Sequence, residues 1–302
     1  MKQKTSLGYL TGLGATFLLA TTAIFISYLA SAGLKPLVLA FWRAAFLSLP
    51  VLAGVMIHRN FLKERRPLGR AAVLTVLVQG LILGIFNISW TFSVVANGAA
   101  QATVLVYSSA FFTLCIEAVL GRQRLTRMRI AAALCILGGC VIFCRPEGGF
   151  LIQSGGGFSG LILGLGAGAA YALYSLAGRR AAEAGCPVLL NMGWSFAVSG
   201  LVILACFLVT SGGFPELVPR ITTVDWGVLV IFALVPTLGG YGLYNLTLKR
   251  LSAGTANLLV ASEPLFTIVI AWLVLGDRFP AFTLPGAAAV VLGVGLLAKG
   301  EK

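Results

Sequence analysis

Three ionisable side chains stand inside long apolar runs: Arg43, Glu117 and Glu263. A charge at membrane depth costs at least ~2.5–3.5 kcal/mol, so each should face protein or a water-filled cavity. Glu263 precedes Pro264, whose missing N–H leaves the Val260 carbonyl without its helix bond and should kink the chain. A carboxylate beside a freed carbonyl suits a proton or an ammonium group; the alternative is a protonated carboxyl bonded to a neighbouring helix. Arg43 lies about 10 Å along a helix from Pro36. Its planar fork matches a carboxylate, with snorkelling to the interface or a structural pair as alternatives. Glu117 comes just before the basic cluster Arg122–Arg129, and its spacing suggests a structural or interfacial salt bridge. Asn87, Trp90, Tyr107, Tyr171, Tyr174, Trp194, Tyr241, Tyr244 and Asn245 could supply the amide and ring wall of a small-molecule pocket. For each ring alone, core packing or interfacial anchoring is the commoner role; the group as a whole points to a pocket. Pro236 with Gly239 and Gly240, like Pro264, marks a candidate hinge.

These groups need elements to hold them at depth. The chain has 302 residues, 59% of them hydrophobic and 10% charged, with a mean hydropathy of +0.98. A soluble chain is about 45–50% apolar and about 25% charged, so a water-soluble globule, a disordered chain and a disulfide-rich secreted domain are excluded. The expected fold is an all-α membrane protein of ten spans, at ~20 residues per span. They lie near Leu7–Leu29, Pro36–Ile57, Ala71–Val95, Ala102–Leu120, Ile130–Cys144, Phe158–Gly178, Val188–Thr210, Trp226–Leu248, Thr255–Leu275 and Phe282–Ala298. The first run is read as a span, because it is too long for a signal-peptide h-region and leads directly into more spans.

The net charge of +13 fits this topology better than a nucleic-acid surface. With both termini cytoplasmic, 17 of the 22 Lys and Arg residues fall on the cytoplasmic side, and no external loop carries more than one. The six cysteines read as small hydrophobes. Metal-ligand clusters and phosphate-binding glycine loops are missing, and the single histidine, His58, should lie in a loop. No cofactor and no enzyme activity are expected.

The halves of the chain resemble each other. Gly8, Gly12, Gly14 and Ala15 match Gly160, Gly164, Gly166 and Ala167; Pro36 to Arg43 match Pro187 to Trp194; and Ala99 to Ser108 match Ala253 to Ser262. The blocks are collinear and keep nearly one offset. Five spans per half is an odd number, so the second half must enter the membrane upside down. Residues 1–150 and 151–302 are therefore expected to be inverted repeats, an architecture that places small-molecule sites near the midplane. Gly8-x-x-x-Gly12 and Gly160-x-x-x-Gly164 provide small faces for close helix contact.

Gly239-Gly-Tyr-Gly-Leu-Tyr-Asn245, Ser252-Ala-Gly-Thr-Ala256, Ser262-Glu-Pro-Leu-Phe-Thr267 and Trp272-Leu-Val-Leu-Gly-Asp277 resemble the eighth and ninth helices of the drug/metabolite transporter superfamily, in its ten-helix EamA-type branch. The resemblance implies a secondary carrier, most often an exporter of amino acids or related metabolites. Two departures stand out. Arg122 occupies the usual acidic position after the fourth helix, and Ser109-Ala110 stand where the second repeat has Glu263-Pro264.

The resulting expectation is an inner-membrane carrier, monomer or homodimer, exporting amino acids or similar zwitterions by alternating access. Arg43 would take the carboxylate, and Glu263 would accept a coupling proton or face the ammonium group. The rivals are a proton-coupled exporter of cationic or aromatic toxic compounds and, from another class, a membrane enzyme or scaffold. The enzyme is disfavoured because catalytic clusters are lacking, and the scaffold because buried charges would be costly without use.

Overall fold

Apolar runs too long for a soluble core become helices, because only internal hydrogen bonding satisfies a backbone in lipid. The computed structural model describes residues 2–62, 69–97, 99–122, 125–143, 157–211, 213–275 and 283–300. Among these the chain makes ten helical passes and no strand. Pass one is α1 (Lys2–Ala20) with α2 (Thr22–Ser31). Passes two to seven are α3 (Pro36–Leu62), α4 (Arg70–Asn97), α5 (Ala99–Val119), α6 (Arg127–Phe143), α7 (Gly157–Glu183) and α8 (Val188–Ser211). Pass eight joins α9 (Thr223–Phe232), a π-helical turn (Ala233–Gly239) and α10 (Gly240–Leu248). Pass nine is α11 (Ala253–Val260) with α12 (Glu263–Leu275), and pass ten is α13 (Thr283–Gly300).

Six of the passes, the interrupted passes one and eight among them, are long and apolar enough to span a bilayer by length and composition. The others are shorter or broken. Helix α3 runs on to Leu62, so His58 is helical rather than in a loop. Asp277, Arg278, Arg145, Lys63, Arg65 and Arg66 lie outside the described residues. Leu10, Leu49, Leu134, Leu201, Val209 and Leu284 point outward and are more than half exposed, as a lipid-facing surface requires.

The passes pair across the repeat. Repeat mates α3 and α8, α5 and α11, and α6 and α13 pack directly on each other. The contacts show their sense. A Cβ on Gly193 would meet Leu52, whereas one on Gly200 would meet Ala44. A Cβ on Gly139 would meet Gly286 and Val290, and one on Gly293 would meet Ala132 and Ile136. Numbers rise on one helix as they fall on its mate, so the mates run antiparallel and the repeats are inverted. Gly12 abuts Leu259, and its repeat equivalent Gly164 abuts Leu105, the equivalent of Leu259. Small residues let these backbones approach where lipid offers no hydrophobic drive.

Tyr9 donates to the Leu297 carbonyl at 3.2 Å, so both termini lie at one end of the bundle. That end also holds Arg179, which donates to the Leu248 and Leu251 carbonyls at 2.6 and 2.8 Å, completing the end of α10. The Arg179–Glu183 and Arg122–Glu183 pairs, at 2.8 and 3.6 Å, lie there too. At the opposite end Thr222 and Asp225 form a capping box that starts α9.

Candidate functional site

A cavity of about 760 Å³, counting its open mouth, lies at mid-depth between passes one to four, six, eight and nine. Arg43, Asn87, Trp90, Tyr107, Tyr171, Tyr241 and Glu263 all line it. Of the residues expected at the site, these seven are brought together.

Arg43 is 7% exposed. Its Nη2 donates to Asn87 Oδ1 at 2.7 Å, and its Cζ stands 5.4 Å from the centre of the Phe232 ring. Asn87 is itself fixed, donating to the Leu83 carbonyl at 2.8 Å and to Ser199 Oγ at 3.4 Å. The guanidinium is thus gripped on one side and over one ring, while its Nε has no partner. A buried donor left unmade costs roughly 1–3 kcal/mol, which an anion in the cavity would recover.

Glu263 sits where pass nine breaks. Helix α11 ends at Val260 and α12 starts at Glu263, so Pro264 divides the helix instead of kinking it. The Ser262 and Leu265 N–H groups turn back to the Leu259 and Ser262 carbonyls, at 3.0 and 3.1 Å. The freed Ala261 carbonyl accepts from Cys140 Sγ at 2.9 Å. Tyr107 and Glu263 line the same wall of the cavity. Pass eight is irregular for the same reason. Pro236 offers no N–H to the Phe232 carbonyl, and Thr237 Oγ1 donates to it instead, at 2.9 Å. Both broken segments border the cavity, and so does the break between α1 and α2, beside Leu19 and Thr22.

The lining straddles the axis that relates the repeats. At the offsets of the matching blocks, Leu19 and Tyr171, Asn87 and Tyr241, Thr103 and Asn257, Val106 and Val260, and Ser109 and Glu263 are equivalent pairs. All ten line the cavity. The symmetry is broken in size and charge: the second repeat supplies Tyr171 and Glu263 where the first supplies Leu19 and Ser109.

Toward the terminal end the second repeat fills the bundle. Tyr171 stacks on Tyr174 and Tyr244, with centroids 5.9 and 6.0 Å apart. Tyr241 meets Tyr174 edge-on at 6.0 Å. Tyr174 and Tyr244 are fully buried and stand behind the wall, not in it. The Tyr244 hydroxyl lies 2.6 Å from Ser175 Oγ and 2.5 Å from Asn257 Oδ1. Asn257 Nδ2 donates to Thr113 Oγ1 at 2.6 Å. Asn245 is buried behind the same layer. Trp194 is the outlier. It is 46% exposed on the outer face of α8, because α8 turns Asn191 and Ser195 inward and those positions take the core side.

Glu117 does not behave as its neighbours in sequence suggest. Its two oxygens accept the backbone N–H groups of Ala253 and Gly254, each at 3.0 Å, and so cap α11 from the other repeat. Asn257, Thr22, Phe86 and Thr237 are lining residues that reading by type alone passes over. The repeat offset would have pointed to one of them: Thr22 is the mate of Tyr174.

A ten-pass inverted-repeat helical bundle around a polar midplane cavity is the construction of a membrane transporter. The sequence matches the EamA-like transporter family over residues 6–145 and 158–299, and the chain belongs to that family. It is 25% identical over 230 residues to a Salmonella typhimurium protein named a probable amino-acid metabolite efflux pump, covering 73% of this chain and 75% of that protein. It is 28% identical over 124 residues to the uncharacterized transporter YyaM of Bacillus subtilis, covering 41% of this chain and 39% of that one. The fold is similar to a solved crystal structure with TM-score 0.79 and 20% identity, over 98% of this chain and 99% of the other.

Proposed function

We propose that this transporter is an inner-membrane secondary carrier that exports amino acids or related zwitterionic metabolites by alternating access, its two halves being residues 1–150 and 151–302. The observation that carries the reading is the Arg43 guanidinium, held by Asn87 with its Nε unpartnered, at the wall of a cavity that also presents Glu263. Arg43 takes the substrate carboxylate. Glu263 faces the ammonium group or accepts the coupling proton. Phe86, Trp90 and Tyr171 form an apolar wall for the side chain. The name of the Salmonella relative supports this substrate class.

With the termini in the cytoplasm, as the distribution of positive charge suggests, the tyrosine layer closes the cytoplasmic side of the cavity. Rocking of the repeats about their shared axis would exchange the two sides.

A second reading, a proton-coupled exporter of aromatic or quaternary cations, is favoured by Glu263 standing among aromatic rings. Proteoliposome transport separates the two. Uptake of labelled L-amino acids supports the first, and movement of quaternary ammonium dyes alone eliminates it.

A further inference from the structure

On the terminal side of the tyrosine layer lies a second group of polar side chains that the central cavity does not include. Gln79 of α4 is completely buried, and neither its amide nitrogen nor its amide oxygen has a partner. The Tyr174 hydroxyl approaches it without the geometry of a full hydrogen bond. Asn191, in the first turn of α8, is 3% exposed and its Oδ1 is likewise unpartnered. Its Nδ2 donates to Asn245 Oδ1 at 3.1 Å. Asn245, near the end of α10, donates in turn to the Tyr241 carbonyl at 2.8 Å. Gly178 of α7 packs closely where they meet: a Cβ there would stand 3.0 Å from Gln79 Nε2 and Leu248 Cδ1, and 3.5 Å from Asn245 Oδ1.

Native interiors contain few such unmade groups, because each carries a desolvation penalty. Here several belong to one cluster, drawn from four helices that include both repeats. Whichever way the Gln79 amide is turned, it offers one donor group and one acceptor, and Asn191 adds a second acceptor. Amide oxygens accept from an ammonium group, and an amide N–H donates to a carboxylate. The cluster is neutral and so would hold such a solute loosely. The unmade bonds also raise the energy of the closed arrangement, bringing it nearer to one in which the cluster is wetted.

We infer that Gln79, Asn191 and Asn245 form a second, cytoplasm-facing subsite for a small solute carrying an ammonium and a carboxylate group, uncovered when the tyrosine layer parts. The inference rests on the carrier reading above. On loading, the solute's polar groups complete the hydrogen bonds that the closed bundle leaves unmade. Passage through the layer then delivers it to Arg43 and Glu263.

The test uses the full chain in membrane vesicles, with Gln79→Cys and Asn191→Cys as separate variants, a membrane-impermeant methanethiosulfonate cation as the label and wild-type vesicles as the blank. Both cysteines should react in inside-out vesicles and not in right-side-out ones. A mixture of the common L-amino acids should slow the reaction by about tenfold at ten times its half-saturating concentration. Reaction from the outer face overturns the inference, as does none from either face in variants that melt like wild type. If wild-type vesicles accumulate the mixture but the cysteines are unprotected, the subsite fails and the carrier reading stands. If they accumulate none of it and the mixture does not protect, both fall.

Discussion

The Glu117 carboxylate of pass four accepts the backbone N–H of Gly254, at the start of pass nine, at 3.0 Å. Its other oxygen takes the Ala253 N–H at the same distance. A side chain of one repeat thus supplies the cap that a helix of the other repeat lacks. A few residues further into both helices, Thr113 and Asn257 make a second link. The two links hold passes four and nine together beneath the cavity.

Glu117→Gln should therefore destabilise the protein by about 1–3 kcal/mol, because an amide presents one acceptor and turns a donor toward the second N–H. Gly254→Ala should act on the same contact, since its Cβ would stand 2.8 Å from Glu117 Oε2 and from Leu114 Cδ2. The two effects should be less than additive in the double variant. Thermal melting in detergent checks both; independent effects would count against a shared contact.

Glycine substitutions should sort by what the new methyl meets. In Gly84→Ala the Cβ would lie 2.6 Å from Val202 Cβ, which cannot swing aside, and a loss of about 1–3 kcal/mol is expected. Gly166→Ala and Gly295→Ala meet nothing within 4 Å, so both should melt at or above the wild-type temperature. Equal destabilisation at all three positions would contradict the packing described.

If Arg43 takes the carboxylate of an amino-acid substrate, Arg43→Lys should reduce apparent affinity for it by about tenfold, since an ammonium lacks the fork and no longer matches both Asn87 and a carboxylate. Asn87→Leu should produce a similar loss by freeing the guanidinium, although leucine itself touches no charge. Unchanged half-saturation in the Lys variant would remove the carboxylate role from Arg43.

If Glu263 carries the coupling proton, transport by the wild type should vary with pH, and Glu263→Gln should make the rate independent of it while the protein still folds. Uptake measured between about pH 5 and 9 decides this. A Gln variant with the full wild-type profile would exclude Glu263 as the coupling site.

Trp194→Ala should leave transport unaltered, because the ring faces outward, away from the cavity. A loss of uptake in a variant of wild-type stability would place Trp194 on the substrate path.

The sequence alone determined the class and the scaffold. Apolar run length and the scarcity of charge leave only a helical membrane bundle, since backbone polar groups in lipid have no other partner. Three collinear blocks separated by an odd number of passes fix the inverted repeat, and cost makes Arg43 and Glu263 conspicuous. Tertiary structure decided which neighbours face the cavity. Tyr171 and Tyr174 share a helix face three residues apart, yet only Tyr171 lines the cavity, while Tyr174 is fully buried behind it. Trp194 occupies the position equivalent to Arg43 and points the other way. Glu117 lies beside a basic cluster in sequence but caps a helix more than 130 residues away. Helical periodicity gives relative directions around one helix, whereas the absolute rotation of each helix is set by what packs against it. That choice belongs to pairs of helices distant in sequence, and no single run of residues contains it.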